Sequence, residues 1–298
     1  MEVQYPLVFF TLFLCLSSGM LLFQGVCAQR GAGTKRFHTA MLAAELVVLA
    51  VGGFSSFLHL HHWERIFNGF GHLTSGITQE LIGIVVTVVV LAVLFGVLRK
   101  AEDGERVLPK WCGILAVVVG VVMGFVCAHS YFMPARPAWA NLTLYLYYYA
   151  SELVLGAAGT WLLAAALHED EAVGALLAKL TCATGIVSAL AILVAGFYWI
   201  TISFGDVGYS FHTTDPTAAL PDPSAALAAP AVGSLAGLFW GGAVVVGSLV
   251  AVVAGFFGMK KAEQALPLSA AALVCSLVGG VCFRVVLYAV GVSFYVYF

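Results

Sequence analysis

Charge is what this chain lacks most. Asp, Glu, Lys and Arg make up 9% of its 298 residues, while 62% are hydrophobic. So small a stock of ionisable groups cannot cover a water-facing surface, which excludes a soluble domain and leaves lipid as the solvent. The charges form no basic arm, acidic tail or run of one sign. With 13 Lys and Arg against 15 Asp and Glu, nothing points to a nucleic-acid partner. Cysteine spacing excludes more. The seven cysteines, at 15, 27, 112, 127, 182, 275 and 282, form no C-x-x-C. Iron–sulfur and zinc centres need close-set thiolates, so neither is expected, and the cysteines read as small buried apolar residues. Period-two alternation is also missing, which excludes barrel strands. No Lys or Arg precedes the first apolar run, Leu7 to Ala28, and that run is long enough to span; it reads as a membrane helix and not as a cleaved leader.

What the chain has is long apolar runs. They cover Leu7–Ala28, Thr39–Leu60, Ile77–Leu98, Trp111–Phe132, Leu144–Leu167, Leu176–Phe197, Ala231–Phe256 and Leu266–Val292. Each approaches or exceeds the ~20 residues that cross a ~30 Å hydrocarbon core. With a mean hydropathy of +1.01, this predicts an all-α integral membrane protein, an eight-span helix bundle forming one polytopic domain over residues 1–298.

Loop charges orient the bundle. Ten Lys and Arg fall in the odd-numbered connections: Arg30, Lys35 and Arg36; Arg99, Lys100, Arg106 and Lys110; Lys179; Lys260 and Lys261. The even-numbered connections hold only Arg65 and Arg136, and Arg284 lies inside the last span. Both termini are therefore expected outside, with the odd connections cytoplasmic. Two outer connections stand out. Gly205 to Pro230 is the longest, with four prolines and three Asp, and reads equally as a solvated linker or a surface that rests on a partner. Leu60 to Gly76 is rich in His and Gly.

A charge kept inside a span is costly, so each one is a functional-site hypothesis. Glu80 lies ~5 Å inside the outer boundary, Glu152 ~12 Å below the outer end of the fifth span, and Arg284 ~27 Å along the last span, in its outer third. His59 ends the second span and His129 the fourth. Tyr145, Tyr149 and Glu152 recur at i, i+4 and i+7 and so share one helix face. His59, Glu80, His129, Glu152 and Arg284 thus come from five spans at roughly one depth, with Glu45 the exception nearer the cytoplasm. Arg284 and Glu152 also read as a buried pair that only fixes packing. His61, His62 and His72 read as boundary residues, and Trp63, Trp139 and Trp199 as interfacial anchors.

A quinol suits such a place. It reaches its site from the lipid, and its oxidation releases two protons and two electrons. A His and a carboxylate near the boundary can accept its hydroxyl hydrogens and pass the protons to water. Aromatic and aliphatic walls would hold its ring. Three other readings stay open. A haem would need axial ligands at matched depth, which His59 and His129 could supply, although no span carries a mid-depth His pair. A secondary transporter would show internal repeats and helices broken near the midplane, and no convincing repeat is present. A tether would have no site at all.

The stretch His59-Leu60, Arg65, Ser75-Gly76-Ile77-Thr78-Gln79-Glu80 resembles the second-to-third-span connection of the membrane-anchor subunit of dimethyl sulfoxide reductases. In that family a His-Leu pair is followed six residues later by Arg, and a Ser stands five residues before Glu. The segment His129-Ser130-Tyr131 with Pro137-Ala138-Trp139 is similar to the family's Arg-Tyr pair and Pro-x-Trp-like turn, with His129 in place of Arg. His61, His62 and Trp63 replace the family's Gly and Pro. The eight-span, termini-outside layout is similar over essentially the whole chain. The resemblance implies an anchor in a prokaryotic cytoplasmic membrane for an iron–sulfur subunit and a molybdopterin catalytic subunit of an anaerobic respiratory reductase. It implies oxidation of menaquinol or a related quinol without a haem in this chain. His59 and Glu80 would then be the quinol-site residues, with Arg65 carried by the same motif and His129, Glu152 and Arg284 shaping the pocket.

Overall fold

The computed structural model describes residues 3–58, 71–102, 107–202, 210–212, 224–293 and 295–297. Among them, eight helical segments are long and apolar enough to cross a membrane. They are α1 (Tyr5–Arg30), α2 (Lys35–Phe57), α3 (Gly76–Lys100), α4 (Lys110–Ser130), α5 (Leu142–Ala166), α6 (Glu171–Thr201), the eighth helix α8 (Gly237–Gly258), and α9 (Ala265–Val290), with a short α7 (Ser224–Val232) before α8. Local chemistry sets several boundaries. Thr34 caps α2 by accepting from Phe37 N at 3.2 Å, and Asn141 caps α5 by accepting from Thr143 N at 2.9 Å, each relieving an orphan donor of a first turn.

The bundle is built around α1, which packs against α2, α4, α5 and α9. Helices α2 and α3 lie at the rim. Their outward faces show Val47, Val51, Phe54, Val85, Val86, Val89 and Phe95, as lipid contact requires. Lipid is as apolar as these side chains, so the helices are held together chiefly by close packing of small residues and by buried hydrogen bonds.

Odd-numbered connections gather at one end of the bundle. There Lys35 Nζ donates to Ala101 O at 2.8 Å, Thr34 N donates to Glu169 Oε2 at 3.0 Å, and Gln29 donates to Lys110 O. The even-numbered connections and the end of α9 meet at the other end. Trp139 Nε1 donates to Leu287 O at 2.8 Å, and Arg136 donates to Gly291 O while lying 5.0 Å over the Trp139 ring. Burial lowers the Arg136 pKa from its ordinary value.

Three features depart from the expected layout. The seventh span is not continuous from Ala231. A separate α7 ends at Val232, the chain turns through Gly233 and Ser234, and α8 starts at Gly237. Pro230 lies in the last turn of α7, and the break follows at Gly233, a poor residue for a helix interior. The first thirteen residues of α8, Gly237–Leu249, then wind as a π-helix, closed by Val250 N donating to Val245 O. Second, β1 (Ser210–His212) pairs in parallel with β2 (Tyr295–Tyr297), joining the connection between α6 and α7 to the C-terminal segment. Third, Trp139 and Trp199 are each 1% exposed and are not interfacial anchors. They fill the protein interior, with Trp199 Nε1 donating to Ala138 O at 3.2 Å. Trp63, His61 and His62 lie outside the described residues. Replacing Trp139 with Phe removes its bond and leaves the Leu287 carbonyl buried without that donor, a loss of about 1–3 kcal/mol. A thermal melt of the purified protein should show a lower midpoint.

Candidate functional site

Glu80 sits in the second turn of α3, 6% exposed, where that turn crosses the end of α4. Its Oε1 accepts from Ser130 Oγ at 2.7 Å, and the same hydroxyl also reaches Cys127 O at 3.0 Å. Ser130 is therefore a link between α3 and α4 as well as the last residue of α4. The crossing depends on Gly76, where a Cβ would lie 2.6 Å from Ser130 Cα.

His129, beside Ser130, makes the second polar contact at this end. Its Nδ1 is 2.8 Å from Tyr145 OH, with the tautomer setting which one donates. Its ring stacks on Phe125 at 5.4 Å and on Phe132 at 6.4 Å, with interplanar angles of 12° and 14°. Phe125, Phe132 and Met133 are exposed on the outer surface of the bundle, so this aromatic patch opens toward lipid.

The i, i+4, i+7 face of α5 meets α4, as its spacing predicts. Tyr145 reaches His129, Tyr149 OH donates to Val121 O at 3.0 Å, and the Glu152 carboxylate lies over Gly124. A Cβ on Gly124 would stand 1.9 Å from Glu152 Oε2, so glycine makes the space for that carboxylate. Gly124 is six residues before Ser130, which puts Glu152 ~9 Å deeper than Glu80. Glu152 is fully buried, and neither carboxylate oxygen has a hydrogen-bond partner among the described residues.

Arg284 does not pair with Glu152. Its Nε donates to Thr11 Oγ1 at 2.9 Å, Nη1 to Tyr147 OH at 2.8 Å, Ser151 Oγ at 3.3 Å and Gly280 O at 3.2 Å, and Nη2 to Thr11 O at 3.3 Å and Cys15 Sγ at 3.4 Å. Ser151 and Glu152 are successive residues on α5, about 100° apart, so the one faces Arg284 while the other faces α4. The guanidinium also lies 5.4 and 5.5 Å from the Tyr147 and Tyr148 rings. Beyond it, Tyr288 bridges Trp139 and Tyr131, and its hydroxyl reaches Tyr131 OH at 3.5 Å.

Ser130 thus ties α4 to Glu80 on α3, and His129, the residue before it, ties α4 to Tyr145 on α5; Arg284, its hydroxyl partners and the tyrosine cluster lie in the interior. His59 and Arg65 lie outside the described residues. Glu45 is buried at the other half of α2, its carboxylate oxygens without a hydrogen-bond partner among the described residues and its carbonyl accepting from Ser17 Oγ at 2.9 Å. Sequence reasoning did not single out Ser130, Gly124, Thr11, Tyr147 or Ser151. The positions that accept Arg284 are ordinary hydroxyl residues in apolar helices and carry no spacing signal of their own.

A concavity of about 500 Å³ lies elsewhere. Arg30, Gly31, Thr34, Glu169 and Asp170 line it at the opposite end of the bundle. It is a surface groove between connections with no aromatic wall, whereas the buried Glu80 carboxyl and the His129 imidazole lie at the other end of the bundle. Among the described residues, no three His, Cys, Asp or Glu side chains gather as metal ligands.

Comparison with known proteins bears on this geometry. A family model described as "DMSO reductase anchor subunit (DmsC)" matches residues 1–290. No curated protein matches the chain.

Proposed function

The chain belongs to the DMSO reductase anchor-subunit family, and on that premise we propose that it oxidises a quinol at the end of the bundle where α3 crosses α4. In this reading it holds an iron–sulfur subunit and a molybdopterin catalytic subunit at a prokaryotic cytoplasmic membrane. Menaquinol or a related quinol is its substrate. Both termini and the even-numbered connections face outside, as the Lys and Arg distribution favours.

The observation that carries the reading is Glu80. It is a nearly buried carboxyl, fixed in orientation by Ser130, the residue after the His129 that stacks on exposed Phe125 and Phe132. A flat ring entering from the bilayer can lie against Phe125 and Phe132, one hydroxyl toward Glu80 and the other toward the His129–Tyr145 pair. As the quinol becomes a quinone, its two electrons pass to the iron–sulfur subunit. Its two protons pass to these acceptors and on to water at the nearby boundary. The family motif adds His59 and Arg65 as quinol-site residues, and both lie outside the described residues. Arg284 acts from behind, its buried positive charge favouring loss of the quinol's protons. Glu152 lies deeper.

The test uses the assembled complex in membranes. With the anchor present, a naphthoquinol analogue should drive reduction of the terminal acceptor. Partner subunits without the anchor should respond to a soluble dye donor and not to the quinol. Equal quinol turnover without the anchor would reject the assignment. Within the site, Tyr145→Phe removes one hydrogen bond, worth about 1 kcal/mol, and should lower quinol kcat/KM roughly fivefold.

A further inference from the structure

Helices α1 and α4 run antiparallel in close contact. Gly25 lies against Gly113 O, and Gly120 against Ser18 O and Leu22. Seven residues on from the Leu22–Gly120 contact along each helix, that register sets the buried Cys15 and Cys127 opposite each other. They are not isolated. Arg284 Nη2 reaches Cys15 Sγ at 3.4 Å. Ser130, which holds Glu80, hydrogen-bonds to Cys127 O at 3.0 Å. Through Ser130, Glu80 is linked to the turn of α4 that carries Cys127. A dithiol thus stands between a buried cation and the carboxyl placed at the lipid-facing site. Packing alone does not ask for a guanidinium at sulfur.

We propose that Cys15 and Cys127 are a redox pair, a dithiol that a bound quinone closes to a disulfide between α1 and α4. This rests on the quinol reading of the outer end. In the step, two S–H bonds are lost and one S–S bond forms. Two electrons and two protons convert the quinone's two carbonyl oxygens to hydroxyls. Thiol oxidation passes through a thiolate, and Arg284 donates to the sulfur that carries that charge. Glu80 is the adjacent group for relaying the protons. The disulfide would tie the central helix to the helix that carries Ser130 and His129, and so report the oxidation state of the quinone pool at the site.

The experiment uses the whole complex in membranes, with quinol turnover measured on the same preparation. The probe is duroquinone, whose ring is fully substituted and cannot be arylated by thiols. After exposure the sample is quenched in acid, unfolded in detergent, alkylated and digested. The expected result is a Cys15–Cys127 peptide two hydrogens lighter than the reduced pair, making up most of the population, reopened by dithiothreitol. It should disappear in Cys127→Ala and persist in Cys112→Ala. Full alkylation of both thiols after duroquinone overturns the pair; linkage through Cys27 or Cys112 instead does the same. If turnover persists with both thiols alkylated, the quinol reading stands without the pair. If turnover is also missing, both fall.

Discussion

Glu80→Gln is expected to lower quinol-dependent turnover of the assembled complex by about 10²-fold or more, the range set by losing a positioned proton acceptor. Turnover supported by a dye that reduces the partner subunits directly should not change. Gln keeps the size of the side chain and can still accept from Ser130 Oγ at 2.7 Å, so α3 should still cross α4 as before. What it loses is the capacity to take a proton. A purely structural tether predicts the opposite result, equal turnover with both donors. Comparing the two donors on one preparation therefore separates proton transfer from assembly, and Ser130→Ala adds a check. Without the hydroxyl the Glu80 carboxyl loses its fixed orientation, and quinol turnover should fall by less than in Glu80→Gln.

The largest effect on stability is expected where α1 meets α5. A Cβ on Gly156 would stand 2.2 Å from Gly19 C, and one on Gly19 would stand 2.1 Å from Glu152 O. Both are backbone atoms and cannot swing aside. Gly156→Leu must push apart two helices of the bundle centre, beyond the ~1–3 kcal/mol typical of overpacking. The full-length anchor should then be lost from membranes, and its partner subunits should be found in the soluble fraction. Gly96→Ala, on lipid-facing α3 where no neighbour lies within 4 Å, should accumulate normally. Equal accumulation of Gly156→Leu and wild type would show that α1 and α5 are not in close contact.

Much of this architecture was legible in the sequence, because lipid leaves few alternatives to apolar helices. The spans, their alternation and the α5 face of Tyr145, Tyr149 and Glu152 follow from length and a period of 3.6. What rotation about a helix decides was not legible. Arg284 and Glu152 share a depth, yet Arg284 meets Ser151 while Glu152 turns to Gly124. Depth along a span cannot show that. Trp139 and Trp199 look like interface anchors because they stand near span ends, but the neighbouring connection and α9 cover them. The partner of Glu80 was in the motif-bearing segment, beside His129, without being recognised, since only the close crossing at Gly76 brings Ser130 to the carboxylate. The parallel pairing of Ser210–His212 with Tyr295–Tyr297 joins segments too distant in sequence for any local pattern to link them.

The central claim is that a quinone binds at the outer end of α3 and α4. A photoreactive azidoquinone on the intact complex tests this most directly, with labelled peptides identified by mass spectrometry. The account predicts label on the segments carrying Glu80, Phe125–Phe132 and Tyr145, lost when excess quinol is present. Label confined to the groove of Arg30, Glu169 and Asp170 at the opposite end would contradict it.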